Sequence, residues 1–384
     1  MVNKRILICG TGKKAIEYYQ LMKDKLDILG FFQEKTGKKL DVEGVKTYDW
    51  TSDIDWNDVR AVVVKDEMFA SELYAALHKA GVGKAYLLPD EYLYDMKIDQ
   101  LLERDTYKIK DLSRPFMSYV EYHLADACNL NCEGCTHFSN LVTDKNIITL
   151  KQAKKDIDVL KHVFDIGKIH LLGGEPFLNP YIAEIIEAFR KNFPNSEICI
   201  CTNGLMIDRI DQDVLKSIKN HNIVIKISMY KPTEKLAERF AKKLTEYGIR
   251  YYFGNGTRSF KSCDVIEKFH TSLTINRTHN AGEVANDCYG KWCRYYRDGY
   301  LSKCAYPQLI PILEETFDVK FLIGDKDIID VRKVRNENEA WEIIDLLNAP
   351  GEFCRYCTKH EYEYEWSTNS NRNSADINCY LAKD

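Results

Sequence analysis

The 384-residue sequence lacks long hydrophobic runs and has no marked excess of either charge. No apolar stretch approaches the roughly 20 residues that a membrane-spanning helix needs. The opening MVNKRILICGTGKK lacks the long apolar region and the small-residue cleavage site of a signal peptide. The formal net charge of −4 gives no indication of a nucleic-acid partner. These absences predict a cytoplasmic protein without a membrane span and without a bound nucleic acid.

We also expect no disulfide framework. Thiols in the cytoplasm are kept reduced, so the 13 cysteines are better explained by metal or redox chemistry. Their distribution is uneven, because three crowd into residues 128–135 and six lie beyond residue 285. The sequence therefore predicts two groups of cysteine ligands that are far apart along the chain.

The first 110 residues alternate strand-like and helix-like segments. In KRILICGTGKKAIEYYQLM an apolar strand turns through glycines into an amphipathic helix, and Gly10-x-Gly12-x-x-Ala15 fits the dinucleotide-binding fingerprint. A second strand, ILGFFQE, ends at Glu34, about where a ribose-binding acid belongs. We predict a Rossmann-like parallel sheet over residues 1–110. Binding of a nucleotide or acyl carrier group stays open beside a structural or docking role, because a tight turn needs the same glycines.

Residues 111–285 repeat the pattern of strand followed by helix. The strands SYVEYHL, KIHLLGG, EICICTNG and NIVIKISMY predict a partial barrel of parallel strands, in which the site lies at the carboxyl ends of the strands. Four motifs fall at such ends, namely the cysteine loop, Gly173-Gly174-Glu175-Pro176, Thr202-Asn203 and Ser228. The pattern therefore predicts that these motifs lie together at one end of the barrel.

The cysteine loop ACNLNCEGCTHF contains Cys128, Cys132 and Cys135 and has no fourth cysteine within reach. A structural zinc site usually takes four ligands in two close pairs, which this spacing suits poorly. His137 is an alternative fourth ligand, although its position two residues after Cys135 favours a local hydrogen bond. Three thiolates on a 4Fe-4S cluster leave one iron without a protein ligand, and a small molecule can occupy that position.

This loop, with Gly173-Gly174-Glu175 one strand and helix later, resembles the signature of the radical S-adenosylmethionine (SAM) superfamily over roughly residues 115–280. The resemblance implies that the methionine part of SAM chelates the open iron. It also implies that one electron, from a flavodoxin- or ferredoxin-type donor, splits SAM into methionine and a 5'-deoxyadenosyl radical. That radical takes a hydrogen atom from the substrate. The predicted fold is an α/β partial (β/α)6 barrel over residues 111–285.

The same resemblance implies a role for each residue that matches a family motif. Gly173, Gly174 and Glu175 would contact the SAM amino group. Residues at the ends of later strands would face the ribose and the carboxylate of SAM. Two positions depart from the family: Gly134 stands where an aromatic residue is usual, and no acid follows Ser228 in ISMYKP. The resemblance then implies that the backbone or Phe138 contacts the adenine of SAM. The implied cluster ligands are Cys128, Cys132 and Cys135, and the implied SAM-binding residues are Gly173, Gly174, Glu175, Pro176, Thr202, Asn203, Ser228 and Phe138.

Residues 286–384 hold the second group of cysteines. CRYYRDGYLSKC has the form C-x5-G-x4-C, and CRYC adds a close pair. These motifs resemble the twitch domain, part of the SPASM group, in which two such pairs hold one auxiliary 4Fe-4S cluster. The implied ligands are Cys293, Cys304, Cys354 and Cys357. Cys288 competes with Cys293 for the role of first ligand, and a zinc ribbon is the alternative use of the same thiolates.

A cluster with four protein ligands has no vacancy for substrate, so its natural task is to move electrons. This favours oxidation of an alcohol carbon, with the auxiliary cluster as electron acceptor. A redox-neutral epimerase would instead need a thiol to return hydrogen, and Cys263, Cys288 and Cys379 are unassigned. The amino-terminal segment and the form CNLNCxGCxHF resemble proteins of bacterial surface-polysaccharide pathways, which favours a sugar or nucleotide-sugar substrate. Radical modification of a peptide or protein, and a non-enzymatic iron-sulfur sensor or scaffold, are the alternatives.

Overall fold

The computed structural model describes residues 4–34, 44–66, 69–89, 92–93, 98–102, 107–254, 256 and 260–382. It confirms the α/β fold class, with parallel sheets. The chain divides into two compact units: the first comprises residues 1–118, 163–167 and 335–345, and the second comprises residues 119–162, 168–334 and 346–384. The division into domains at residues 110 and 285 stays a prediction.

The strands are numbered in chain order. They are β1 Arg5–Cys9, β2 Ile28–Phe32, β3 Thr47–Tyr48, β4 Val59–Val63, β5 Lys84–Leu87, β6 Lys108–Asp111, β7 Phe116–His123, β8 Asp165–Leu172, β9 Glu197–Thr202, β10 Val224–Ile227, β11 Arg250–Phe253, β12 Lys268–Leu273, β13 Tyr295–Arg297, β14 Tyr300–Ser302, β15 Ile328–Asp330 and β16 Cys357–Glu365.

The α-helices follow the same convention. They are α1 Lys13–Met22, α2 Ser71–Lys79, α3 Ile98–Leu101, α4 Leu150–Val163, α5 Ile182–Asn192, α6 Gln212–Asn220, α7 Lys231–Glu234, α8 Ala237–Glu246, α9 Ala281–Asp287, α10 Tyr306–Phe317 and α11 Glu337–Asn348. Among the helices that the structure describes, none combines the length and the apolar character needed to cross a bilayer.

The sheet of the first unit has the strand order β3-β2-β1-β4-β5-β6. Neighbouring strands from β3 to β5 pair in parallel, and β6 adds an antiparallel edge. This is the strand order of doubly wound nucleotide-binding sheets. Gly10 has a φ of +123°, and a Cβ there would lie 3.1 Å from the Val64 carbonyl oxygen, so the turn after β1 requires glycine. The Glu34 carboxylate is 2.9 Å from Lys65 Nζ; binding of a nucleotide here stays a prediction.

The larger sheet has the order β11-β10-β9-β8-β7-β13-β14-β15. From β8 to β11 each strand pairs in parallel with the next, and a helix separates them along the chain. Their side chains are mainly apolar and buried on both faces near the middle of the sheet, as expected of parallel strands covered by helices. The carboxyl ends of β7 to β10 therefore meet at one edge, where the motifs lie.

The carboxyl-terminal residues of the second unit share a hydrophobic core with the segment after the cysteine loop. Phe138, Leu141 and Leu273 pack in one cluster with residues of α10 and of the segment 353–381. β12 stays outside the barrel sheet because it pairs antiparallel with β16. The segment that contains Trp366 is thereby held close to the cysteine loop, although more than 200 residues separate them in sequence.

Candidate functional site

Two glycines allow the end of β8 to lie against the entry to the cysteine loop. The amide of Gly174 donates to the Ala125 carbonyl at 2.6 Å, and that of Glu175 donates to the Ala127 carbonyl at 2.8 Å. A Cβ on Gly174 would overlap the Ala127 carbonyl oxygen, and Gly173 has a φ of +147°. Only glycine permits this approach, which sets Glu175 directly beside the loop.

Glu175 is a fully buried carboxylate that accepts three hydrogen bonds. Its Oε1 accepts from Thr202 Oγ1 at 2.8 Å and from the Phe177 amide at 3.2 Å, and its Oε2 accepts from the Asn203 amide at 3.0 Å. Burial raises the pKa of Glu175 to about 7, and these hydrogen bonds only partly offset the effect. All three donors are neutral. A ligand ammonium group would therefore be stabilised here by a carboxylate that is already oriented.

The Thr202-Asn203 turn connects Glu175 to the cysteine loop. Asn203 Nδ2 lies 2.8 Å from Asn129 Oδ1 and 3.6 Å from Cys128 Sγ. Thr233 Oγ1 donates to the Asn203 carbonyl at 2.6 Å, which holds the turn from the other side. Ser228 lies next to this turn, since its amide donates to the Thr202 carbonyl at 2.9 Å. The structure thus brings Ser228 to the same edge of the sheet as the other motifs.

The three thiols of the loop lie close enough to influence one another. Burial, and then the neighbouring Cys135, raise the pKa of Cys132 to about 12. Burial is also the main cause that raises the pKa of Cys128 to about 11, where Cys135 again contributes. Such thiols are held in the protonated state, so a metal that binds them has to displace protons.

Trp366 is a site residue that sequence reasoning missed. Its Nε1 donates to Cys132 Sγ at 3.2 Å, and its ring stacks on Tyr230 with 5.6 Å between centroids. The Glu133 amide donates to the Ser367 carbonyl at 3.0 Å, so the segment after β16 pairs with the loop backbone. The only available signal was the aromatic stretch HEYEYEWS, in which no periodicity indicates a partner 234 residues away.

Gly134 departs from the family pattern for a structural reason. Its φ is +69°, and a Cβ at this position would overlap the Tyr364 hydroxyl group. Tyr364 donates a hydrogen bond to the Gly134 carbonyl at 3.3 Å. The space that an aromatic residue at position 134 would occupy is therefore taken by a ring from β16.

The side chain of Phe138 packs in the carboxyl-terminal core and not with the other predicted site residues. Its side chain is 2% exposed, and its ring stacks on Tyr306 with 5.9 Å between centroids. It packs with Tyr380 in the carboxyl-terminal core. Its contact with adenine stays a prediction.

The second thiol group gathers Cys288, Cys304, Cys354 and Cys357. Burial, and then Cys354 and Cys288, raise the pKa of Cys357 well above its usual value. Burial, and then Cys357, have the same effect on the pKa of Cys304, with smaller contributions from Cys354 and Cys288. Four thiols from separate parts of the chain therefore lie within electrostatic reach of one another.

Cys293, the ligand implied by the sequence motif, has a different environment. Its Sγ lies 3.7 Å from Glu121 Oε1 on β7. Burial raises its pKa, and the next largest contribution is Glu121, ahead of Cys304 and Cys288. Cys263 and Cys379 stand apart from this group, with Cys263 Sγ 3.5 Å from the Asp264 carbonyl oxygen.

Comparison with known proteins places the cysteine loop in a recognised domain. Residues 122–253 match the model of the Radical SAM superfamily. Similar curated proteins include a GTP 3',8-cyclase of Clostridium perfringens, 29% identical over 120 residues, which cover 30% of this chain and 36% of that protein. GTP 3',8-cyclase 1 of Mycobacterium tuberculosis is 25% identical over 142 residues, covering 35% of this chain and 38% of that protein.

Among solved structures, BtrN in complex with AdoMet and 2-DOIA is 15% identical and covers 65% of this chain and 98% of its own, with a TM-score of 0.39. A score this low does not support comparison of the sites. The chain spans little more than a third of the length of the curated relatives named above. Because the matched segment contains the cysteine loop, the glycine-glycine-glutamate turn and the strand ends around them, residues 122–253 form a radical SAM domain.

Proposed function

We propose that this protein is a radical SAM enzyme that oxidises an alcohol carbon of a sugar or nucleotide-sugar. The observation that carries the proposal is the presence of two separate thiol groups in one unit. The first, in the cysteine loop, offers three thiols beside a buried carboxylate. The second offers four thiols. An oxidation needs a centre that generates a radical and a centre that accepts an electron.

The residues of the cysteine loop fit a 4Fe-4S cluster and SAM. Cys128, Cys132 and Cys135 would ligate the cluster, and Glu175 would accept the SAM ammonium group. When bound, this pair supplies a 5'-deoxyadenosyl radical that removes a hydrogen atom from substrate. A flavodoxin- or ferredoxin-type protein is the proposed source of the electron. Thr202 and Asn203 orient the carboxylate, as their contacts of 2.8 and 3.0 Å indicate.

The second thiol group supports an auxiliary 4Fe-4S cluster with the ligands Cys288, Cys304, Cys354 and Cys357. Sequence spacing favoured Cys293 over Cys288 as the first ligand. Cys288 contributes to the raised pKa of each of the other three thiols, and Cys293 contacts Glu121, so these two observations support the reverse assignment. Because four protein ligands leave no open iron, this cluster would take up electrons and would not bind substrate.

Polar side chains of the barrel interior suit a hydroxylated substrate. Removal of hydrogen from a carbinol carbon leaves a radical that becomes a ketone after it loses the hydroxyl proton and one electron. Glu121 is a candidate to take that proton, because burial raises its pKa above the usual value for a carboxyl group. Its Oε1 accepts from the Tyr119 hydroxyl at 2.8 Å, which holds the carboxylate in place.

Substrate-dependent formation of 5'-deoxyadenosine tests the proposal. Reconstituted protein, a chemical reductant and SAM would be incubated with nucleotide-sugars, free sugars, a peptide library or GTP, and the products analysed by mass spectrometry. GTP is included because the similar curated proteins are named for it. We expect a nucleotide-sugar to stimulate cleavage of SAM and to lose two hydrogen atoms. A product that keeps the substrate mass in ordinary water but gains deuterium in deuterated solvent would indicate epimerisation. Stimulation by a peptide or GTP alone would reject the sugar proposal.

Two isosteric variants separate the cofactor role from the substrate role. Glu175→Gln removes the charge that faces SAM, so it should lose SAM cleavage with or without substrate. Glu121→Gln should retain SAM cleavage in the absence of substrate but lose the ketone product. Equal loss in both assays for Glu121→Gln would show that this residue acts on the cofactor and would contradict its proposed role.

We expect the hydrogen bond from Trp366 to Cys132 to raise the reduction potential of the proposed cluster in the cysteine loop. An N–H group that donates to a thiolate ligand stabilises the more negative, reduced state. A net contribution of about 1 kcal/mol corresponds to roughly 40 mV for a one-electron couple. We therefore expect Trp366→Phe to lower the reduction potential by roughly that amount in a titration followed by electron paramagnetic resonance. Trp50→Phe, which changes an exposed ring in the other unit, is the control; an equal shift in both variants would contradict the assignment.

A further inference from the structure

A third group of metal-binding side chains lies in the second unit, outside both thiol groups described above. His170 of β8 pairs in register with Cys199 of β9, and Cys201 follows two residues later. Because side chains alternate along a strand, Cys199 and Cys201 project from the same face of β9. A ring nitrogen of His170 and the two Sγ atoms all lie within 4.8 Å of one another.

The two ring nitrogens of His170 have different surroundings. Its Nδ1 lies 2.7 Å from the Tyr119 hydroxyl, which itself donates to Glu121 Oε1 at 2.8 Å. Nδ1 also lies 3.4 Å from Cys201 Sγ, so it is the ring nitrogen that faces the thiols. The other ring nitrogen, Nε2, is buried and has no hydrogen-bond partner. A metal ion bound by Nδ1 and the two sulfurs would replace the contact of Nδ1 with the Tyr119 hydroxyl.

We propose that His170, Cys199 and Cys201 bind a single zinc-like ion in the interior of the barrel. Two thiolates and an imidazole are ligands that zinc prefers, and the ligand bond lengths of about 2.0–2.3 Å in a tetrahedral site place ligand atoms at separations compatible with this cluster. Three protein ligands leave a fourth position for water or for an oxygen of a bound substrate. The Tyr252 hydroxyl, 3.7 Å from Cys199 Sγ, lies at the edge of the cluster.

Burial distinguishes this group from a chance meeting of surface residues. His170 is 5% exposed and Cys199 is fully buried. The proposal does not depend on the chemistry proposed for the enzyme, since none of these three residues belongs to either of the other thiol groups.

Zinc K-edge X-ray absorption on the intact protein tests the proposal directly. The protein would be reconstituted with iron and sulfide, exposed to zinc and freed of excess metal by gel filtration. We expect about one zinc per chain, with two sulfur ligands at about 2.3 Å and nitrogen at about 2.0–2.1 Å. Absence of retained zinc, or a shell of four sulfurs, would overturn the proposal, because the latter places zinc in a cluster site.

Variants connect the bound zinc to these residues. Cys199→Ser/Cys201→Ser should lose the zinc while it retains the full iron content, and Cys263→Ser, a substitution away from the group, should retain both metals. Tyr119→Phe keeps the ring but removes the hydroxyl that lies against Nδ1, and should strengthen zinc binding by about 10-fold. Zinc content and affinity unchanged in both the double variant and Tyr119→Phe would reject the site even if one of these variants folded poorly.

Discussion

Replacement of Cys128, Cys132 and Cys135 together by alanine is expected to lower the iron content from about eight to about four per chain. It should also abolish cleavage of SAM. The physical reason is that the three thiols of the loop are the proposed ligands of one cluster, whereas the four thiols of the second group are the proposed ligands of another. Iron and sulfide analysis of anaerobically reconstituted protein, with electron paramagnetic resonance before and after addition of SAM, measures both effects.

The parent protein is the reference for this experiment. A spectral change on addition of SAM should occur in the parent and be lost in the triple variant. No change in the parent would reject the enzyme and favour the iron-sulfur sensor or scaffold. Zinc in the carboxyl-terminal site, with about four irons in the parent, would remove the electron acceptor and favour epimerisation over oxidation.

Cys288→Ser is expected to lose about four irons per chain, whereas Cys293→Ser should keep about eight. Cys288 contributes to the raised pKa values of Cys304, Cys354 and Cys357, while the thiol of Cys293 lies against Glu121. The two variants differ only in which of two neighbouring thiols is removed. A Cβ on Gly290 would lie 3.7 Å from one sulfur and 3.8 Å from the other, so both substitutions perturb the same turn.

Iron content and resonance spectra of the two serine variants provide the measurement. Since both should retain the SAM-dependent signal of the cysteine loop, that signal serves as the internal control for folding. Loss of iron in Cys293→Ser with retention in Cys288→Ser would restore the ligand set implied by the C-x5-G-x4-C spacing. Loss in neither variant would show that this cysteine group does not hold a four-iron cluster.

Local pattern was sufficient for the fold class and for the cysteine loop. Apolar strands that alternate with amphipathic helices predicted parallel sheets, because burial on both faces demands nearly continuous apolar runs. The unequal spacing of three cysteines, followed by two glycines and Glu175 after the next strand, indicated the radical SAM domain. These signals are contained in short segments, so they are readable without knowledge of distant contacts.

Other features depend on residues that are distant in sequence. Trp366 reaches Cys132 only because β16 pairs with β12 and the following segment bonds to the loop. The same segment supplies Tyr364, whose hydroxyl occupies the space beside Gly134. No spacing rule connects these positions, since their contacts arise from packing of the carboxyl terminus and are independent of strand or helix periodicity.

By itself, the sequence determined the α/β architecture, the three-thiol motif and the glycines that bring Glu175 to it, because each follows from local backbone and ligand chemistry. Only the tertiary structure decided which thiols are neighbours. Cys288 lies within electrostatic reach of the distant CRYC pair, and strand register sets His170 opposite Cys199. The reason is physical: spacing constrains side chains within a few residues, whereas the meeting of separate segments is set by packing of the whole unit.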